Sequence, residues 1–152
     1  MKAKWFLGEV SIGYKRTETD DSLNKNHIRN SKSCVDFFRS IFPEEAMEHH
    51  EEMWVAYLNH AHRPIGYLRL SKGDVSSTIV NLKELLQGAL MSNASRVILM
   101  HNHPSGNTTP SEQDKELTYK VSKGLDLFDI KLLDHIILTK DSYTSFADEG
   151  LI

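Results

Sequence analysis

The residues best suited to chemistry lie at residues 101–104 (His-Asn-His-Pro), followed after six residues by Ser111 and then by Asp114. We predict a strand that ends here, and residues two apart in a strand project to the same side. The imidazoles of His101 and His103 would then lie together and bind one Zn²⁺ ion. Asp114, in the first turn of a following helix, would add a carboxylate oxygen. Three protein ligands leave one position for water, which is typical of a catalytic zinc site.

The same residues also have a purely structural explanation. Ser111 and Asp114 match a capping box, in which a serine and an acidic residue three positions later stabilise a helix start. On that interpretation Asp114 serves the helix and binds no metal. An isolated His-x-His pair is also often a chance occurrence. The His-x-His pair together with the Ser-x-x-Asp helix start is a more selective signal than either motif alone. Metal binding and helix capping are also compatible, because a cap would hold Asp114 in place.

The full spacing, His101-x-His103-Pro104-x6-Ser111-x-x-Asp114, resembles the JAMM motif of the MPN-type zinc metalloproteases. The string from His101 to Gly106 is similar to the RadC branch of that superfamily, and the resemblance extends over residues 51–152. It implies one zinc ion per chain, with His101, His103 and Asp114 as ligands. It also implies that Ser111 supports the tetrahedral intermediate during hydrolysis of a peptide or isopeptide bond.

The resemblance further implies a glutamate from an earlier strand as the general base on the metal-activated water. The family pattern, a glutamate two residues before an aromatic residue at a strand start, matches Glu52 and Trp54, and we assign this role to Glu52. Glu51 is the alternative, because both faces of the predicted strand are apolar and alternation does not decide between them. A pair of glutamates at a strand start is otherwise typical of a solvated edge.

The elements that must position these residues alternate between strands and helices, which predicts an α/β fold. The resemblance implies the three-layer JAMM/MPN (cytidine-deaminase-like) arrangement, with a mixed, curved β-sheet and flanking helices. The predicted elements are a strand over 5–14, a long exposed loop over 15–32, a helix capped by Ser31 or Ser33 that runs through Ile41 and is ended by Pro43, a hairpin of strands 53–58 and 65–70, a helix from Asn81, a strand over 96–100, a helix from Ser111, a strand over 130–138 and a last strand and tail over 143–152.

His135 follows Asp134 in the predicted strand 130–138. A histidine in such an apolar strand is typical of a hydrogen-bonded core group. The alternative is a position behind a zinc ligand, where it would orient that ligand.

The composition of the chain limits the number of domains, the type of zinc site and the kind of partner that we expect. The 152 residues fit one domain (1–152, with the motif in 51–152), and the single cysteine excludes a thiolate zinc site within the chain. The net charge of −3 argues against a broad basic surface for DNA. The helix-hairpin-helix region of longer family members is not expected in residues 1–50. A DNA-associated accessory protein, with a binding role and no catalysis, is the alternative function.

The apolar runs are too short for a signal peptide or a membrane span, so we expect a cytoplasmic protein without a membrane partner. The expected partner is a peptide or protein substrate whose identity the sequence leaves open, as it does the oligomeric state.

Overall fold

The computed structural model describes Lys15, residues 27–72 and residues 80–152. The elements in chain order are α1 (Ser31–Ile41), a 3₁₀ turn (Glu44–Ala46), β1 (Glu52–Leu58), β2 (Pro64–Lys72), α2 (Leu82–Met91), β3 (Arg96–Asn102), α3 (Glu112–Asp126), β4 (Lys131–Leu138) and β5 (Tyr143–Ser145). The predicted strand over 5–14, and most of the predicted loop over 15–32, lie outside the described residues.

The described strands form one mixed sheet in the order β2-β1-β3-β4-β5. β1 is antiparallel to both of its neighbours, β2 and β3, whereas β3 and β4 are parallel. β4 and β5 are antiparallel again. β3 therefore occupies the centre of the sheet, with the antiparallel strand β1 on one side and the parallel strand β4 on the other. The parallel pair is connected through α3, which is the usual crossover for parallel strands.

Helices cover both faces of the sheet and create two apolar cores. One core packs α1 against alternate residues of the central strands, including Trp54, Ala56, Ile98 and Met100. The other packs α2 and α3 against the intervening residues of the same strands, which point to the opposite face and include Val55, Tyr57, Val97 and Leu99. The prediction of an α/β fold with a mixed sheet between helical layers is confirmed. This two-sided burial is also why β1 and β3 are apolar on both faces.

The helices begin where side chains can cap them. The Asn81 side chain accepts a hydrogen bond from the Glu84 backbone at the start of α2, and Ser111 caps α3. α1 begins one residue after Asn30, whose side chain and that of Ser33 form a reciprocal capping box. The predicted helix starts at Asn81 and Ser111 are confirmed, and α1 ends just before Pro43 as expected. The cap predicted at Ser31 or Ser33 is wrong, because Asn30 occupies the N-cap position.

None of the described helices is long and apolar enough to cross a membrane.

Gly88 allows α2 to pack closely on the sheet. A Cβ atom added at this position would lie 2.6 Å from Cζ of Tyr57. The Tyr57 hydroxyl donates a 3.0 Å hydrogen bond to the carbonyl of Leu85, so the ring cannot move away without losing it. We expect Gly88→Ala to lower the free energy of unfolding by about 1–3 kcal/mol, measured by urea denaturation.

Gly124 of α3 is the matched control. There an added Cβ would meet Leu82 Cδ2 at 3.5 Å, which is ordinary contact. Gly124→Ala is expected to be neutral or to stabilise the protein by up to about 1 kcal/mol, since alanine favours helix over glycine. Equal destabilisation by the two substitutions would contradict the packing explanation.

Candidate metal centre

Three elements meet at one end of the central strand. His101 is the penultimate residue of β3, and His103 follows the strand directly. His101 pairs across the sheet with Met53, so the start of β1 lies beside the end of the antiparallel β3. The loop over 104–110 then returns the chain to the start of α3, whose first turn contains Asp114. This arrangement brings groups distant in sequence to a single place.

Four side chains converge there and define the candidate metal centre. His101 Nε2 lies 2.9 Å from His103 Nε2 and 3.3 Å from Asp114 Oδ1. Glu51 Oε1 lies 3.9 Å from His101 Nε2, and Asp114 Oδ2 lies 3.9 Å from His103 Nε2. Glu51, His101 and His103 each offer a ligand atom within 4.8 Å of the others. The three residues predicted as zinc ligands are therefore together, and Glu51 is beside them.

Glu52, predicted as the general base, does not lie in this group, and its assignment is corrected here. Its side chain is only 1% exposed and lies on the α1 face of the sheet with Trp54, whereas His101 lies on the α3 face with Leu99. Its carboxylate oxygens accept hydrogen bonds from Arg69 Nη2 and Trp54 Nε1 and contact His50 Nε2. The neighbouring residue points to the opposite face, so Glu51 reaches the centre.

Asn102, between the two histidines, joins the strands that carry the centre. Strand alternation sends its side chain to the face opposite His101, where it is fully buried. Its Oδ1 accepts from the Glu52 backbone N–H at 2.8 Å, and its Nδ2 donates to the carbonyls of Met47 and His50. The sequence interpretation missed this role. Asn102 therefore bonds the backbone before and at the start of β1 to the end of β3, and this fixes the position of Glu51, which lies between His50 and Glu52.

Ser111 contacts the centre only through Asp114 among the described residues. The Ser111 hydroxyl accepts from the Asp114 backbone N–H at 3.1 Å, and Asp114 Oδ2 accepts from the Ser111 backbone N–H at 2.8 Å. This is the capping box, so Asp114 both caps α3 and faces the histidines. Support of a reaction intermediate by Ser111 stays a prediction.

The donor atoms fit a divalent metal ion. His103 Nδ1 contacts the carbonyl of Asn107 at 2.5 Å and must donate, because a carbonyl only accepts. In neutral His103 the Nε2 lone pair then faces His101. Imidazole nitrogens with carboxylate oxygens form a donor set that Zn²⁺ accepts readily. Without a cation, the nitrogen lone pairs and the Asp114 carboxylate at this point repel one another. A cation bound by His101, His103 and Asp114 would remove that repulsion.

Comparison with known proteins identifies the family. The model of the RadC-like JAB domain matches residues 28–151. The chain belongs to this family. A UPF0758 protein of Flavobacterium johnsoniae is 37% identical over 150 residues, which cover 99% of this chain and 64% of the relative. A UPF0758 protein of Porphyromonas gingivalis is 44% identical over 139 residues, covering 91% of this chain and 60% of that protein.

UPF0758 protein YfjY of Escherichia coli is 44% identical over 102 residues, covering 67% of this chain and 64% of the relative. This RadC-like JAB domain thus spans somewhat less than two thirds of the length of the relatives it matches. The resemblance seen in the sequence is confirmed, and the family is hydrolase-type.

In this RadC-like JAB domain, burial and neighbouring groups set the charge of the centre. Burial lowers the pKa of His101 below its usual value, which favours the neutral imidazole that metals bind. Burial alone would raise the pKa of Asp114, but the His101 ring, when it carries a proton, and the hydrogen bonds from Ser111 hold that pKa well below its usual range. Burial, with the Asp114 charge, raises the pKa of Glu51 to about 7. Glu51 can therefore hold or release a proton near neutrality.

His135 of the RadC-like domain also reaches the centre, through a bulge in β4. Val97 pairs with Leu132 but Ile98 pairs with Asp134, so Leu133 is an extra residue in the ladder. The bulge reverses the alternation and sends His135 to the face of His101, where His135 Nε2 lies 2.8 Å from His101 Nδ1. Of the two interpretations of His135, the geometry favours a position behind a candidate ligand.

Proposed function

We propose that this chain is a zinc-dependent hydrolase that cleaves peptide or isopeptide bonds. The observation that carries the proposal is the convergence of His101 Nε2, His103 Nε2 and the Asp114 carboxylate, with Glu51 3.9 Å from His101. The family membership supports the same class of chemistry. His101, His103 and Asp114 would hold the metal. A zinc ion bound there would lower the pKa of a water molecule and polarise the substrate carbonyl.

Glu51 would carry the proton in this reaction. Its carboxylate oxygen lies 3.9 Å from His101 Nε2, so it is close enough to the proposed metal to take a proton from a water molecule held there. In the proposed reaction Glu51 Oε1 accepts a proton from the attacking water and passes it to the leaving amine. Both steps use one carboxylate, so the peptide bond is broken without a second acid.

Ser111 would supply a hydrogen bond to the substrate oxygen as it becomes negative. Its hydroxyl oxygen accepts from the Asp114 backbone, and within the described ranges no acceptor for its own proton is found. The hydroxyl proton is therefore available to a bound group.

Metal removal provides the direct test. Purified protein is expected to contain one zinc ion per chain by elemental mass spectrometry. Dialysis against a chelator should abolish cleavage of a proteome-derived peptide mixture, scored by mass spectrometry of new termini, and added Zn²⁺ should restore it. Removal should also lower the melting temperature, since a ligand that binds only the folded state stabilises it. Unchanged cleavage by fully zinc-free protein would overturn the proposal.

A further inference from the structure

His135 lies directly behind His101, and the hydrogen bonds around it run in one direction. Thr118, one turn after Asp114 in α3, donates its hydroxyl proton to the Asp114 carbonyl at 2.6 Å. A hydroxyl has a single proton, and a carbonyl cannot donate. The 2.7 Å contact between Thr118 Oγ1 and His135 Nδ1 must therefore be a bond in which His135 donates.

The rest of the chain follows from this first bond. His135 is fully buried and its ring stacks on Phe146, surroundings that disfavour a charged imidazole. With the proton on Nδ1, its Nε2 carries a lone pair and accepts. The 2.8 Å contact with His101 Nδ1 is then a bond donated by His101. The Nδ1 proton of His101 is thereby engaged, and Nε2 is the ring nitrogen left to face His103 and Asp114.

We infer that His135 and Thr118 are positioning residues that set the tautomer and ring orientation of His101, so that the Nε2 lone pair points into the candidate metal centre. His103 obtains the same tautomer more simply, from the carbonyl of Asn107. In both rings Nδ1 is thus engaged by a protein acceptor, and Nε2 is the nitrogen left for a metal ion. Partners of this kind behind a ligating histidine raise metal affinity about 10–100-fold. The metal part of this inference rests on the proposed function, whereas the tautomer part does not.

The packing of His135 supports a role beyond filling the core. Its ring stacks on Phe146, with centroids 4.6 Å apart, and it reaches His101 only because Leu133 forms the bulge in β4. A regular β4 would direct this side chain to the α1 face. The bulge and the hydrogen bond together hold the ring at one angle behind His101.

The test separates the tautomer of His101 from stability with five variants, one of them a packing control. Thr118→Val removes the hydroxyl while keeping the shape, and Thr118→Ser restores it. His135→Leu removes the acceptor, and His135→Gln offers an amide oxygen in its place. Val121→Ala, in the same helix and core, is the control for lost packing, since Val121 is fully buried and apolar.

Nitrogen-15 NMR of the imidazoles is expected to show His101 with its proton on Nδ1 in the metal-free wild type, Thr118→Ser, His135→Gln and Val121→Ala. In Thr118→Val and His135→Leu the proton should move at least partly to Nε2. Zn²⁺ affinity, by chelator competition, should fall about 10–100-fold in His135→Leu and stay within a few-fold of wild type in His135→Gln.

An unchanged His101 tautomer in both Thr118→Val and His135→Leu would overturn the inference, whatever happens to their melting temperatures. An affinity loss in Val121→Ala equal to that in His135→Leu would also overturn it, because lost packing would then explain the effect. A wild type that binds no Zn²⁺ would instead contradict the proposed function, and the NMR result on metal-free protein would still decide the role of His135.

Discussion

Glu51→Gln is expected to lower kcat for peptide cleavage by about 10²–10⁴-fold, the usual contribution of a general base, while zinc stays bound at one ion per chain. Glutamine keeps the size of the side chain but cannot take a proton from water. Glu51 is the carboxylate beside His101 that takes no part in capping a helix, and its loss leaves His101, His103 and Asp114 in place. Steady-state kinetics and elemental mass spectrometry measure the two quantities separately.

Glu52→Gln is the matched control, one residue away and of the same chemistry. Glu52 accepts from Arg69 and Trp54 on the far face of the sheet, so loss of its charge weakens buried hydrogen bonds and leaves the centre alone. We expect the free energy of unfolding to fall by about 1–3 kcal/mol, as for hydrogen bonds to charged groups, with kcat unchanged below the melting transition. Loss of kcat in Glu52→Gln, with Glu51→Gln active, would reverse the assignment of the base.

His103→Ala is expected to abolish both zinc binding and hydrolysis. The substitution removes one of two imidazole nitrogens that face each other at 2.9 Å, and His101 with Asp114 alone is a poor zinc site. His103 lies after the end of β3 and its side chain is partly exposed, so the fold should persist. Elemental analysis should show near-zero zinc, and circular dichroism should show an unchanged spectrum.

His60→Ala provides the comparison for this variant. It removes an exposed imidazole from the other His-x-His pair of the chain, in the turn between β1 and β2. Zinc content and activity should both stay at the wild-type level. Zinc retained at full stoichiometry in His103→Ala would contradict the ligand assignment, and equal losses in the two variants would point to a general effect of losing a histidine.

Much of the fold was predictable because its signals are local. Apolar residues at helical spacing after Asn81, and a serine cap before α3, are properties of short windows of sequence, and both elements form where expected. The last strand and tail predicted over 143–152 are both present: β5 covers Tyr143–Ser145, and the residues after it form a turn and tail. The Phe146 N–H still donates to the His135 carbonyl of β4, and the residues beyond it make turn contacts such as the bond from the Leu151 N–H to the Phe146 carbonyl.

The sequence by itself placed His101 and His103 on one face and Asp114 at a capped helix start, because strand alternation and helix capping act over two to four residues. Only the tertiary structure decided between Glu51 and Glu52. β1 is buried on both faces, so its apolar pattern is symmetrical, and the difference arises from the packing of α1 on one face and α3 on the other.

The same limit applies to His135. Its side is set by the extra residue Leu133, and a bulge is defined by pairing between β3 and β4 rather than by the pattern of either strand. The donors of the candidate metal centre could therefore be read from local spacing. The positions of the Glu51 carboxylate beside them and of His135 behind them depend on which elements pack together.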